Sequence, residues 1–496
     1  MAKITHPYHP IIYVRGYAMT KSEIEATVAT PYMGFNLGAT KTRQDWTGKV
    51  RRHIFESALI RLMKDYGYRD VYSYGTEIVT EIPAKSVVIY RYYEQADADL
   101  GSGKVASIPE AATGLSDLIM NIRDQVCAND PQLVADFKVY LVAHSMGGLV
   151  CRCFLQNDKV GDMKAKAMVD KVFTYATPHN GIEVAGINVP GFLDVWDMDN
   201  FNRKEMAKYL GLKGQPKRVD TLNNKFDPNR FFCLVGTNSR DYDVAKGLSS
   251  KLVGEMSDGL VRIENATVAG APRGFVYRSH SGPYGIVNSE EGYQNLARFL
   301  FGNVRVDGVL EVEQLPLPPS VQKALDSGKD VKASYFFEST VIPRGAITFK
   351  LTERRKETYS AIFRKFDQMM KVEEIDELDK PRSPYLFSVF LDTRKITTGR
   401  TIVFSVEVIV SSTDYVIDGV LFFDERIEGE NLFRNTITIR ATIDNDSWNV
   451  RYVMSDDNWS ENRGRDVETD DDGWYIPLSS QKGFKGKLRL GYQNWS

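Results

Sequence analysis

Cysteine is scarce in this sequence. Four residues in 496, Cys127, Cys151, Cys153 and Cys233, show neither the paired spacing of a zinc site nor the density of a disulfide-stapled secreted domain. Histidine is unevenly placed: all six histidines, like all four cysteines, precede residue 303. Chemistry that needs an imidazole is therefore confined to the first part of the chain. No run approaches the roughly 18 uncharged apolar residues of a membrane-spanning helix. An excess of charge of one sign is also missing, since 63 Lys and Arg face 65 Asp and Glu for a net −2. That excludes the basic footprint of a nucleic-acid-binding protein. The stretch Met1–Pro10 has no apolar signal region, so the expected location is cytoplasmic and reducing, with export by a dedicated secretion machine left open. The rest is ordinary globular composition, 43% hydrophobic and 26% charged, which rules out a disordered or fibrous chain.

At about 150 residues per domain, two or three domains are expected. The proline cluster Leu315-Pro-Leu-Pro-Pro-Ser320 suits neither a helix nor a sheet interior, and a linker is placed at 303–332. From 303 onward, 27 basic residues face 32 acidic ones, so the C-terminal part is the more acidic. Residues 1–302 alternate apolar, strand-like runs, such as Ile11–Val14, Val87–Tyr90, Val139–Val142, Val172–Tyr175 and Phe231–Val235, with segments of helical period. One such segment is Ala111, Leu115, Leu118, Ile119, Ile122 and Val126. Near-continuous apolar strands belong in a parallel sheet covered on both faces, so the first 302 residues read as a doubly wound α/β domain. Residues 333–496 carry β-branched and aromatic residues at period two between turn clusters, the pattern of an antiparallel β-sandwich.

The chemistry concentrates in Lys138-Val-Tyr-Leu-Val-Ala-His-Ser-Met-Gly-Gly-Leu-Val150. An apolar strand runs into Ala143-His144-Ser145-Met146-Gly147, and an apolar helix follows. A serine on so sharp a turn is lifted above the sheet edge, and the residues two before and two after it must be small; Ala143 and Gly147 are. This stretch resembles the nucleophile elbow of the α/β-hydrolases, and its alanine-first form looks like that of small bacterial lipases. The resemblance covers roughly residues 10–302.

The resemblance implies a catalytic order of serine, acid, histidine, each after a later strand. His6, His9 and His53 precede the serine, His144 lies inside the elbow, and His179 follows the very next strand. His280, in the loop after Phe275–Tyr277, is left as general base. Met256-Ser-Asp-Gly-Leu-Val261 resembles the segment that carries the lipase acid, which points to Asp258, with Asp241 and Asp243 as rivals. The oxyanion donors implied are the backbone N–H groups of Met146 and of Tyr17. The loop carrying Tyr17 has Arg15 where the family usually has histidine, which puts that loop's anchoring in question. His179, in Thr177-Pro-His-Asn-Gly181, resembles a segment that shapes the substrate site. Residues 186–215, with Phe192 and Trp196, are read as a lid over an apolar acyl pocket, against the alternative of a packed structural helix.

In the C-terminal part, Asp444–Trp448, Asp456–Trp459 and Asp470–Trp474 each place acidic turn residues before a tryptophan. Calcium loops, or tryptophans offered to lipid or polymer, are the functional readings; turns with core tryptophans are favoured. No metal and no cofactor is called for. The favoured function is a serine esterase or lipase working through an acyl-enzyme on Ser145, with an ester or lipid as substrate and peripheral lipid or polymer contact through the C-terminal domain. A phospholipase, exported as an effector or not, and a polyester hydrolase are the alternatives. The non-enzymatic alternative is a binding protein on a hydrolase scaffold.

Overall fold

The computed structural model describes residues 4–16, 35, 39–44, 47–73, 76–77, 81–92, 106–128, 130–184, 187–188, 201–214, 216–240, 256–282, 285–370, 380–396, 399–418, 425–444, 447–457 and 464–496. The chain divides into two compact units. One comprises Met1–Arg273 with Tyr277–Phe301, the other Gly302–Ser496 with Gly274–Val276.

In the first unit, six strands of one sheet run in the order Phe231–Gly236, Val169–Tyr175, Val139–His144, Ile11–Val14, Ser86–Tyr90, Arg69–Asp70. Ile11–Val14 pairs in parallel with Ser86–Tyr90 on one side and Val139–His144 on the other. Val169–Tyr175 continues the parallel pattern between Val139–His144 and Phe231–Gly236. The runs IIYV, VYLVAH and FFCLVG are buried at every position, because helices cover both faces and no position is left for an alternating polar residue. The helix Ile108–Cys127 starts at a capping box formed by Ser107 and Glu110, and buries the stripe Ala111, Leu115, Ile119, Ile122 and Val126. The helix Gly147–Gln156 is buried along its whole length.

The second unit is a β-sandwich. One antiparallel sheet has the order Tyr385–Leu391, Val304–Gln314, Lys485–Asn494, Gly473–Ser479, Glu468–Asp470. The facing sheet runs Thr352–Arg354, Ser334–Pro343, Thr401–Ser412, Asn431–Asp444, Ser447–Met454, Arg465–Asp466. Leu310 and Leu488 from the first meet Phe337, Val406 and Ile437 from the second in one apolar core. The expected fold class, an α/β-hydrolase sheet followed by an antiparallel sandwich, is the fold observed.

The expected linker at 303–332 is not one. Val304–Gln314 is an eleven-residue strand bonded along both edges, to Tyr385–Leu391 and to Lys485–Asn494. Its buried positions Val306, Gly308, Leu310 and Val312 keep the period of two. The prolines fall between this strand and the helix Pro319–Asp326, where Pro319 occupies the first helical turn. A proline there forfeits no intrahelical hydrogen bond. The proline cluster therefore marks a junction within a domain.

Candidate active site

The strand Val139–His144 ends one residue before Ser145, and the helix Gly147–Gln156 begins two residues after it. Between them Ser145 has φ of 53°, a left-handed conformation that costs a non-glycine residue free energy unless its surroundings enforce it. The surroundings do. Ser145 N–H donates to the Tyr175 carbonyl at 2.9 Å, and the Thr177 hydroxyl donates to the Ser145 carbonyl at 2.8 Å. The backbone packs so tightly that a Cβ on Gly147 would lie 2.1 Å from the Val14 carbonyl oxygen, and one on Gly16 would lie 2.4 Å from Ser145 Cβ. Only glycine fits at these two positions.

Strand order, left-handed serine and helix start are together those of an α/β-hydrolase fold. A family model described as the PGAP1-like alpha/beta domain matches residues 89–188, the stretch that contains the elbow. No curated protein matches in sequence. Similar solved structures include phospholipase PlaB from Legionella pneumophila, at 12% identity over 85% of this chain and 92% of that one, with a TM-score of 0.33. An acetyl xylan esterase matches at 9% identity over 39% of this chain and 79% of that one, with a TM-score of 0.17. A structure of the Tle4–Tli4 complex matches at 27% identity and a TM-score of 0.15, over 20% of this chain, which spans only 17% of the length it matches there.

Three side chains meet in a hydrogen-bonded line. Ser145 Oγ lies 2.9 Å from His280 Nε2, and His280 Nδ1 lies 2.9 Å from Asp258 Oδ2. All three residues are buried, Ser145 being 6% exposed. Asp258 is held on its other oxygen: Oδ1 accepts from the N–H groups of Leu260 at 3.0 Å and Val261 at 2.7 Å. Its backbone carbonyl accepts from His280 N–H at 2.9 Å. A carboxylate so placed only accepts, so His280 carries its hydrogen on Nδ1 and presents Nε2 as an acceptor to the Ser145 hydroxyl. That is the tautomer a general base requires.

Met146 is buried immediately after the serine, and its N atom would lie 2.9 Å from a Cβ built on Gly16. The loop after the first strand therefore runs directly beside that N–H. Arg15, which stands where the family usually has histidine, is secured through its backbone, because the Tyr92 hydroxyl donates to its carbonyl at 2.9 Å. Tyr17, Phe192, Trp196, Asp241 and Asp243 lie outside the described residues. Of the segment read as a lid, residues 187–188 and 201–214 are described, including the short helix Arg203–Tyr209.

His179, expected to shape the substrate site, is fully buried. Its Nε2 is 3.1 Å from Thr174 Oγ1 and its ring packs edge-on against Phe231. Burial, and secondarily the nearby Arg152, push its pKa well below the usual range. Behind it, the fully buried Arg152 guanidinium donates to the carbonyls of His179 at 2.7 Å, Val219 at 2.6 Å and Thr221 at 2.8 Å. His179 is thus part of a packed support under the loop after Val169–Tyr175. Nothing in the linear pattern marks Arg152 for this task, since three of its acceptors are backbone carbonyls up to 69 residues away.

Of the remaining candidates, those among the described residues are packed or ion-paired. The four cysteines are free and buried, and burial pushes the Cys233 thiol up to about 11, away from a nucleophile's range. Trp448 and Trp474 both pack on Tyr492, at 4.8 and 5.7 Å between ring centroids. Asp470 is held by Arg489 at 2.7 and 3.0 Å, whose hydrogen bonds draw its pKa down to about 2. Trp459 lies outside the described residues. Among the described residues no group of three His, Cys, Asp or Glu side chains is arranged to hold a metal ion, and no helix is long and apolar enough to cross a membrane.

Proposed function

We propose that this protein is a serine hydrolase of carboxylic esters, a lipase or lipase-like esterase acting through an acyl-enzyme on Ser145. The observation that carries the reading is the line Ser145–His280–Asp258, with both contacts at 2.9 Å. In this reading His280 Nε2 takes the hydroxyl proton as Ser145 Oγ attacks the ester carbonyl, and Asp258 stabilises the resulting imidazolium. The proton then passes to the departing alkoxide, and water, activated by the same nitrogen, releases the acid. The N–H of Met146, together with that of Tyr17, receives the developing oxyanion in this reading. The lipase-like form of the elbow, Ala143-His144-Ser145-Met146-Gly147, makes an ester or a lipid the substrate class to test first.

A fluorophosphonate probe tests the mechanism on the full-length protein. Labelling that disappears in Ser145→Ala supports it; an unlabelled native protein sinks it in favour of a binding protein on a hydrolase scaffold. A series of p-nitrophenyl esters of rising chain length, run beside phospholipid and polyester substrates, then separates lipase, phospholipase and polyester hydrolase.

A further inference from the structure

One buried imidazole beside the site has no part in the proton transfer just described. His144 ends the strand that delivers the nucleophile, is 7% exposed, and has its ring centroid 5.0 Å from that of His280. Its Nε2 lies 2.9 Å from the backbone carbonyl oxygen of His280. A carbonyl can only accept, so Nε2 carries the hydrogen and the neutral ring leaves Nδ1 bare. The opposite side of the same residue is also tied, since His280 N–H donates to the Asp258 carbonyl at 2.9 Å. The backbone of His280 is therefore clamped on its N–H by the acid's segment and on its C=O by the nucleophile's strand.

We infer that His144 is a positioning residue for His280, its Nε2–H fixing the loop of the base to the strand of the nucleophile. This rests on reading Ser145 and His280 as nucleophile and base. The argument is geometric. Proton transfer requires the Oγ···Nε2 contact within roughly 2.6–3.2 Å, yet Ser145 and His280 are 135 residues apart and stand on separate loops. Their relative placement needs a direct link. His144 adjoins Ser145 in the chain, so a bond from its ring to the His280 carbonyl makes any movement of the base's backbone relative to the serine costly. An apolar side chain of similar size would fill the same space without the desolvation cost of an imidazole; what the imidazole adds is one directed donor. Its charge state suits the task. Burial first, then the neighbouring His280 and Arg15, push its pKa well below the usual value. A neutral ring donates as required and leaves the imidazolium that forms on His280 without a second cation beside it.

The test uses the full-length protein and compares His144→Phe and His144→Leu, which lack the donor, with His144→Gln, whose amide can reach the same carbonyl. Turnover of p-nitrophenyl butyrate, the rate of fluorophosphonate labelling and the melting temperature are measured for each. Both apolar variants are expected to lose kcat by about 10- to 100-fold, the scale of a small misplacement of catalytic groups, with KM within about twofold, and labelling slowed in parallel. His144→Gln is expected to recover most of the loss. Folded apolar variants that turn over within threefold of the native rate would overturn the inference, and so would a Gln variant as slow as Phe. If Phe does not fold, the comparison of Leu with Gln still decides. Failure of the underlying reading is recognised separately: Ser145→Ala or His280→Ala would then keep native activity, whatever His144 does.

Discussion

Replacing Asp258 by asparagine changes one atom, and the structure dictates which way the new amide points. Oδ1 accepts two backbone N–H groups, from Leu260 at 3.0 Å and Val261 at 2.7 Å. If the amide nitrogen sat there, two buried donors would face a donor, at about 1–3 kcal/mol for each unsatisfied group. The amide oxygen therefore takes that position and the NH2 group turns to His280. Facing a donor, Nδ1 must become an acceptor, and the ring's hydrogen moves to Nε2, opposite Ser145 Oγ. The geometry survives but the ring can no longer take the serine proton. The expected loss in kcat is about 10⁴-fold, that of a triad locked in the wrong tautomer, with KM and melting temperature little changed. Steady-state hydrolysis of p-nitrophenyl butyrate by the purified variant measures it. Activity within tenfold of native would refute the assignment of Asp258, and Asp241→Asn and Asp243→Asn would be the next variants to make.

Other outcomes follow from the same geometry. His280→Ala should abolish turnover by several orders of magnitude, while His179→Ala should act mainly on melting temperature; equal kinetic damage from both would show that His179 reaches the substrate after all. Gly16→Ala places a methyl group 2.4 Å from Ser145 Cβ, so fluorophosphonate labelling should fall sharply, and an unimpaired variant would contradict the tight approach of that loop. Arg152→Met leaves the carbonyls of His179 and Val219 and the Gln156 Oε1 without their donor, an expected cost of at least about 3 kcal/mol, read in urea unfolding. Acid should weaken the first unit. His9 is buried and its pKa is lowered to about 4, chiefly by desolvation, so the unfolded chain binds a proton that the folded one resists. Its contribution is fully present above about pH 6.5 and lost as the pH falls towards 4, at most about 3 kcal/mol by linkage. Melting temperatures taken between pH 7.5 and 4.5 check the sign; a rise on acidification would contradict it.

What the sequence determined by itself was whatever rests on local pattern. Continuous apolar runs specified the central strands, because a strand covered on both faces has no polar positions to show. Ala143-His144-Ser145-Met146-Gly147 specified the elbow, because small residues two before and two after a serine are a steric requirement written in adjacent letters. The alternation within Val304–Gln314 was equally legible, but the nearby prolines were read as a linker rather than as the end of a strand and the start of a helix. Only the tertiary structure could decide matters of distance between loops. The contact of His280 with Ser145 spans 135 residues and that of Asp258 with His280 spans 22; order along the chain nominates such residues without placing them. His179 shows the same limit from the other side, since its motif resembles a site segment while its ring is turned into the core towards Thr174. Arg152 and His144 were invisible to pattern for a simple physical reason. Their long-range partners are backbone carbonyls, which every residue has, so only the folded chain determines which carbonyl a buried donor will meet.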